Sequence, residues 1–410
     1  MKLSLYISNR LIKSKKKAFS ALIMRIAIIA TSVSVAAMII STSFINGFQR
    51  VVADKIFDFW GHLRIEHYEP IRSTNAEAAL IIQNDTLVNS IKKDPAIEYI
   101  SPFVTHSAII HTNGTIEGVV VKGISADYPK EKINKYLRKG VVPDWRDSSQ
   151  LNQLLLSQYT ANQLKTDVGK SILIYFISKD GSPPKVRKMM VAGLYNTGID
   201  LYDQTYAIAD LGYMNQVNRI PVTSINGYEI HLKDKKWMDQ TASSIFPQLP
   251  MGWNAITLKE LSPEIFDWLQ LQDTNKYVLI ALMLLVAIIN MITCLIILLL
   301  ERTNMIAVLK SMGAKDGLVQ SIFVFYGGWI VAMGILIGGI TGIVICLVQS
   351  NYPFIRLNEE VYYVNAAPVY IDWMQIAAIL AGTFIISLMF LILPTVVSKK
   401  INISKTLQFK

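Results

Sequence analysis

Cysteine is nearly absent: the chain has two, Cys294 and Cys346, both inside apolar runs. They supply neither a disulfide framework nor a metal-ligand set, and they leave the redox compartment open. Charge is also sparse, at 17% of 410 residues against 52% hydrophobic, which places the chain in the membrane class. A nucleotide-binding loop is missing. Gly169-Lys170-Ser171 has the tail of one, but Leu164 stands where the leading glycine belongs, so the segment reads as a turn entering a strand. His62, Glu66 and His67 follow the spacing HxxxEH, which fits neither zinc-helix pattern, and the local alternation reads as a strand. No serine or cysteine nucleophile carries a local signature, and no paired carboxylates stand out. The sequence therefore offers no support for a cofactor site or for catalysis by this chain alone.

Acidic residues are outnumbered, 30 to 40, for a net charge of +10. Nucleic acid is one class of partner for such a balance, and the position of the charge decides against it. The excess lies at the two ends: Lys2, Arg10, Lys13, Lys15, Lys16, Lys17 and Arg25 at the front, Lys399, Lys400, Lys405 and Lys410 at the back. Short basic flanks beside apolar spans mark cytoplasmic segments.

What is present is a sequence of long apolar runs around one mixed segment. After the basic leader 1–17, the run 18–48 is too long for a signal-peptide core and has no cleavage site, so it reads as an uncleaved anchor. Arg25 lies near its cytoplasmic end, where it can snorkel to the headgroups. Residues 49–275 have soluble-domain punctuation, with Pro70, Pro95, Pro102, Pro143, Pro221, Pro250 and the turn Gly181-Ser182-Pro183-Pro184. Strand-like segments recur at His62–His67, Phe103–His111, Glu117–Gly123, Ser171–Phe176, Met189–Leu194 and Gly227–Leu232. Helix-like stretches lie at Thr86–Lys93, Gln150–Lys165 and Lys236–Phe246. The mixture predicts an α+β domain, with 126–220 inserted into a strand-rich part. Further spans are predicted at 277–300, 321–348 and 373–397. The outer loop 349–372 and the start of the last span carry Tyr352, Tyr362, Tyr363 and Trp373, an interfacial aromatic set. The fold class expected is a membrane protein with an α-helical four-span transmembrane domain and a large α+β extracytoplasmic domain between spans 1 and 2. Both termini, including the tail 398–410, and the segment 301–315 then fall in the cytoplasm.

Within these spans, Gly334, Gly338 and Gly342 repeat every four residues and predict a close helix contact. Asn290 is a polar member of the second span, suited to an interhelical hydrogen bond or to a substrate path. Pro394 lies where a kink or helix end is tolerated. Between the second and third spans, Glu301–Ala314 is amphipathic. Ile306, Val308, Leu309 and Met312 form its apolar side, Glu301, Arg302 and Lys310 its polar side, and Gly313 ends it as a C-cap glycine would.

Lys276–Gly328 resembles the permease subunit of lipoprotein-releasing ABC transporters, the LolC/LolE family. The likeness is carried by the span with Asn290 and by ERTNMIAVLKSMGAKDGLVQSIFVFYGG, where Ile306-Ala307-Val308-Leu309 and Met312-Gly313-Ala314-Lys315 stand at the family's coupling segment. It extends through Tyr362-Tyr363, Pro368, Pro394 and the basic tail, and at the front through Asn46-Gly47-Phe48. In the outer domain Val191-Ala192-Gly193-Leu194 is the best local likeness. The resemblance implies a bacterial inner-membrane permease, paired with a second permease, identical or related, and with two cytoplasmic ATPases that hold ATP and Mg. Glu301, Arg302, Ile306, Ala307, Val308, Leu309, Lys310, Met312 and Gly313 would couple it to the ATPase. Cargo would be triacylated lipoprotein, passed to a periplasmic carrier. An acyl-chain cavity is expected at Ile40, Phe44, Phe48, Leu279, Leu282 and Val286, among membrane lipids. Carrier contact would fall at the hairpin Ser178–Lys188, with Pro183 and Pro184, which is short for that role. A macrolide-type efflux permease and a signalling subunit acting on an extracytoplasmic hydrolase are the alternatives. The first usually carries a fused ATPase, and the second has a much smaller outer domain.

Overall fold

The computed structural model describes residues 2–13, 18–68, 79–112, 114–177, 182–357 and 366–397. In chain order the elements begin with α1 (Lys2–Lys13), α2 (Ala18–Trp60), β1 (Leu63–His67), β2 (Ile81–Ile82), α3 (Asp85–Ile91), β3 (Ile97–Thr112), β4 (Thr115–Ile124), α4 (Lys130–Asn134) and β5 (Leu137–Gly140). Next come β6 (Gln153–Ser157), α5 (Gln158–Gln163), β7 (Ser171–Phe176), β8 (Lys185–Tyr195), α6 (Asp200–Thr205), β9 (Tyr206–Asp210) and α7 (Leu211–Asn218). Then follow β10 (Ser224–Ile225), β11 (Gly227–Leu232), α8 (Met238–Ile245), β12 (Trp253–Thr257) and α9 (Leu258–Leu261). The chain continues with α10 (Pro263–Glu301), α11 (Thr303–Ser311), α12 (Asp316–Asn351) and α13 (Trp373–Val397). The elements form two compact units, one of them Val51–Asp267 and the other built from the helices on either side of it.

Among the described residues, four helices are long and apolar enough to cross a membrane: Leu22–Trp60, Pro263–Glu301, Asp316–Asn351 and Trp373–Ile392. The predicted glycine stripe of α12 is a packing face. A Cβ at Gly338 would lie 2.4 Å from the Ser32 carbonyl oxygen, and one at Gly334 2.7 Å from Thr31 Cβ. Ser32 Oγ donates to the Gly334 carbonyl at 3.0 Å. At Gly342 the neighbours are Ala36 and Ile39. Lipid offers apolar surfaces no drive to leave it, so helices associate where small residues permit close van der Waals contact. Two apolar clusters flank this contact. One joins Leu295, Leu298, Ile306, Phe323, Ile330 and Leu391, the other Val35, Met38, Ile39, Cys346 and Ile376. Each cysteine is buried in one of them.

The first and second helices outrun the apolar runs that announced them. The sequence ends the first run at Phe48, but α2 continues to Trp60; the second is predicted from Tyr277, but α10 begins at Pro263. At 1.5 Å per residue, the 39 residues of α10 make a rod of roughly 58 Å, about twice the hydrocarbon thickness. The added turns carry charges, which lower mean hydropathy. Their apolar residues Val52, Ala53, Ile56, Phe57 and Trp60 nevertheless keep helical spacing and are buried.

In the other unit the strands run β12-β1-β11-β3-β4-β9-β6-β8-β5, and β7 pairs both β8 and β3. The path β3-β4-β9-β6-β8-β7 therefore closes on itself. Strand β3 serves both parts: Ile97–Phe103 pairs β11, and Ala108–His111 pairs β7. The expected insertion at 126–220 thus contributes β5 to β9, but borrows β3 and β4 to close its ring. One expected helix is corrected. Gln150–Lys165 holds strand β6 followed by the short helix α5, with Ser157 Oγ accepting from Thr160 N–H at 3.0 Å. Leu154, Leu155 and Leu156 are all fully buried; a strand covered on both faces reads as a continuous apolar run, which periodicity cannot tell from a helix. Pro70, Lys15, Lys16, Lys17, Tyr362, Tyr363 and the basic tail lie outside the described residues.

The glycine face yields a paired test. Gly338→Ala should destabilise the purified protein by about 2 kcal/mol, because its methyl meets backbone that cannot give. Gly382→Ala, where a Cβ meets nothing within 4 Å, should be neutral or stabilising by up to about 1 kcal/mol. Thermal unfolding in detergent micelles measures both.

Candidate functional site

The segment expected to couple is the short helix α11, which starts after Arg302 and closes at Gly313. Gly313 has φ +88°, a left-handed conformation that glycine adopts without strain. Ala314 N–H donates to the Leu309 carbonyl at 3.0 Å, and Lys310 pairs with Asp316 of α12 at 3.0 Å. The apolar side expected from sequence divides in two. Ile306 is buried with Ala307, and Ile306 belongs to the cluster holding Leu295 and Phe323. Val308 and Met312, one turn apart, are 49% and 79% exposed. Leu309 and Lys310 lie between these extremes, as do Glu301 and Arg302. The helix is thus fixed to its own bundle by one face and presents a separate apolar face outward.

The six expected cavity residues do not gather into one surface of this chain. Ile40 packs with Ile280 and Met283 against the cluster of Val35, Met38 and Ile39. Phe48 meets Trp268 edge-on at 5.7 Å, and Phe44 is half-buried. Leu279, Leu282 and Val286 instead occupy an exposed face of α10. Asn290 has a buried Nδ2 with no hydrogen-bond partner within the described chain. Pro183 and Pro184 are exposed just ahead of β8, on the connection that makes a hairpin of β7 and β8; residues 178–181 of that connection lie outside the described residues.

Two family models match this sequence. Residues 25–245 match the MacB-like periplasmic core domain, and residues 277–403 match the FtsX-like permease C-terminal region. The chain belongs to the MacB-like permease family. It is similar to the lipoprotein-releasing system transmembrane protein LolE of Haemophilus influenzae, with 25% identity across 98% of each chain. LolC of Neisseria meningitidis serogroup B matches at 22% identity across 92% of each chain. The solved periplasmic region of MacB from Actinobacillus actinomycetemcomitans aligns with 50% of this chain and 91% of its own, at 13% identity and a TM-score of 0.35, too low to add to the assignment. This MacB-like permease is an inner-membrane, multi-pass protein with a large periplasmic domain, which places Val51–Asp267 in the periplasm.

The periplasmic domain of this MacB-like permease also contains a buried polar cluster that sequence reasoning missed. The last turns of α2 end at Gly61, whose N–H bonds the Phe57 carbonyl at 2.8 Å with φ +75°. A Cβ there would lie 2.9 Å from the Ile230 carbonyl oxygen, so the turn requires glycine. Lys122 reaches this helix end from β4: its ammonium donates to the Phe59 carbonyl, pairs with Glu229 at 2.7 Å and lies 4.1 Å from the Trp60 ring. The pair has side-chain exposures of 3% and 1%. Burial pulls the Lys122 ammonium down to about 8, against the opposing pull of Glu229. Asp58 accepts from Lys135 Nζ and Tyr136 Oη, each at 2.6 Å, and its carbonyl accepts from Tyr128 Oη at 3.2 Å. A cation at a helix C-terminus also meets the negative end of its dipole. The sequence signal was present: Lys122 is a lone charge after Val119, Val120 and Val121.

Beside this joint is a cavity of about 30 Å³, lined by Asp58, Lys122, Tyr128, Lys132, Tyr136 and Tyr195. That is room for a water-sized molecule and not for an acyl chain. Two histidines pack nearby. His62 stacks on Phe57 at 4.3 Å and accepts the Leu232 N–H at Nδ1; buried His231 stacks on Tyr99 at 4.1 Å with Nε2 unpartnered. Burial lowers His62 to about 4 and holds His231 well below its usual value.

Both histidines are neutral in the fold and bind protons more readily when unfolded. Stability should therefore fall as pH drops from 6.5 toward 4, by about 1.4 kcal/mol per pH unit for each histidine. His231→Phe keeps the ring stack and removes the titrating nitrogen. Thermal unfolding of the full-length variant between pH 7 and 5 should show a shallower acid slope than wild type.

Proposed function

We propose that this chain is the permease subunit of an ABC transporter that extracts lipoproteins from the inner membrane and releases them toward a periplasmic carrier. Similarity to LolE across 98% of both chains carries this reading. Neither the efflux alternative nor the signalling one is favoured by relatives of that name. ATP would be hydrolysed, with Mg, by two copies of a separate cytoplasmic ATPase, so this chain itself binds no cofactor and catalyses nothing. A second permease, identical or homologous, would complete the membrane part. Four crossings with both termini in the cytoplasm follow from this assembly, because α11 must meet the ATPase there. The exposed pair Val308 and Met312 supports docking by that face, and the Lys310–Asp316 pair supports a fixed presentation.

Energetics fits such a division of labour. Burial is worth about 0.8 kcal/mol per CH₂, so carrying three acyl chains through water would cost on the order of tens of kcal/mol. Chains must pass from bilayer to an apolar surface and on to an apolar carrier. The exposed face Leu279, Leu282 and Val286 suits the first transfer, with Ile40, Phe44 and Phe48 on the neighbouring span. The short β7–β8 connection at Pro183 and Pro184 is the carrier contact we would test first.

Docking and folding can be separated on one helix. Val308→Asp and Met312→Asp should reduce co-purification of the ATPase about tenfold or more, without lowering the unfolding temperature. Ile306→Ala should do the reverse, destabilising the permease by about 2–4 kcal/mol. Full ATPase association and lipoprotein release by both aspartate variants would sink the coupling assignment.

A further inference from the structure

One side chain ties three of the membrane helices together. Asn46 Nδ2 on α2 donates to Gln375 Oε1 on α13 at 2.6 Å, and Asn46 Oδ1 accepts from Lys276 Nζ on α10 at 3.1 Å. Lys276 is only 6% exposed, and its second partner is Asp273 at 2.7 Å. The contacts around this node run in the same sense. Tyr370 N–H donates to the Ser43 carbonyl at 3.0 Å, and the Arg50 guanidinium lies 4.5 Å from the Tyr370 ring. A Cβ at Gly47 would lie 2.4 Å from the Pro368 carbonyl oxygen, so the segment leading to α13 rests directly on α2.

We infer that Asn46, Lys276 and Gln375 form a polar clamp at the periplasmic ends of three spans, and that its opening admits acyl chains between α2 and α10. Asn46 is a positioning residue: it touches no cargo and sets the separation of helices that do. Three observations support the inference. Both hydrogen-bonding atoms of one amide are used, each toward a different helix, so moving either helix breaks a bond. One of those bonds comes from a buried ammonium that Asp273 on the same helix holds in place, so the charged donor is presented to Asn46 in a definite geometry. The clamp also adjoins Phe44 and Phe48, two turns of α2 assigned above to chain transfer. The inference rests on the lipoprotein-releasing reading for its consequence, but not for its geometry.

The test uses the permease–ATPase complex in nanodiscs, with Cys294 and Cys346 replaced by alanine and spin-label pairs at Ile45→Cys with Val278→Cys, across α2 and α10, and at Ile45→Cys with Met374→Cys, across α2 and α13. The parent should give one short, narrow distance distribution for each pair without nucleotide. Asn46→Leu and Lys276→Met should each raise the ratio of a longer component about tenfold, the worth of a lost charge-assisted hydrogen bond. Lipoprotein released per ATP hydrolysed should fall in step. Asn46→Asp should stay narrow, because its carboxylate still accepts from Lys276 and Gln375 can rotate its amide to donate. Should Asn46→Leu not fold, Gln375→Leu breaks the same node from α13. Unchanged distances in Lys276→Met and Gln375→Leu would overturn the clamp, as would a broadened distribution in Asn46→Asp. Broadened distances together with a parent that releases no lipoprotein would leave the clamp standing and remove the release reading.

Discussion

An ammonium group with almost no access to water decides how the periplasmic domain holds its entering helix. Lys122 faces a helix C-terminus, a carboxylate and two aromatic rings at once, and no one of these would offset its desolvation alone. A buried ion pair is seldom a net source of stability against an apolar replacement, yet it is unforgiving of displacement, since moving one partner leaves a charge stranded. That asymmetry suits a joint. The final turn of α2 can occupy one place relative to β4 and β11, and Gly61 allows the chain to turn there into β1. Asp58, the residue before Phe59 on the same helix, is held in turn by Lys135, Tyr136 and Tyr128.

The membrane helices were legible because their apolar residues are contiguous, and their ends were not because composition changes before conformation does. Arg50, Asp54, Lys55 and Asp58 break the apolar run after Phe48, while Val52, Ile56 and Phe57 keep the helix going. Strands β7 and β11 have the limits that alternation predicts, whereas β6 was read as part of a helix because three buried leucines in succession carry no period. At the candidate site, the coupling segment announced its helix, its terminal glycine and its apolar residues. It could not announce which apolar residues face inward, because α11 is amphipathic toward two different neighbours. Ile306 and Val308 are alike in hydropathy and opposite in exposure. The joint at Lys122 depends on pairs such as Lys122 and Glu229, far apart in sequence, and no local pattern reports those.

Polar groups within the spans divide into two kinds, and the division says where the helix bundle can part. Thr42, Thr293, Ser321 and Thr341 each donate to a carbonyl four residues earlier in their own helix, at 2.7 to 2.9 Å. Those bonds survive any separation of one helix from another, so they neither hold the bundle nor resist its opening. The contact of α12 with α2 is of another sort. At Gly334, Gly338 and Gly342 backbone meets backbone or Cβ, and Ser32 adds a bond across the seam. Separation there would forfeit dispersion along several turns with nothing to replace it but lipid, so α2 and α12 should move as one body. The bonds of Asn46 are interhelical, few and confined to one end. They are also the ones whose partners, an ammonium and two amides at a membrane surface, can exchange protein for water or headgroups when they part. Apolar residues of α2 and α10 also share clusters away from this node, Ala27 with Met291 and Leu295, and Ile40 with Ile280 and Met283, so an opening that begins at Asn46 parts the periplasmic ends of the two helices first.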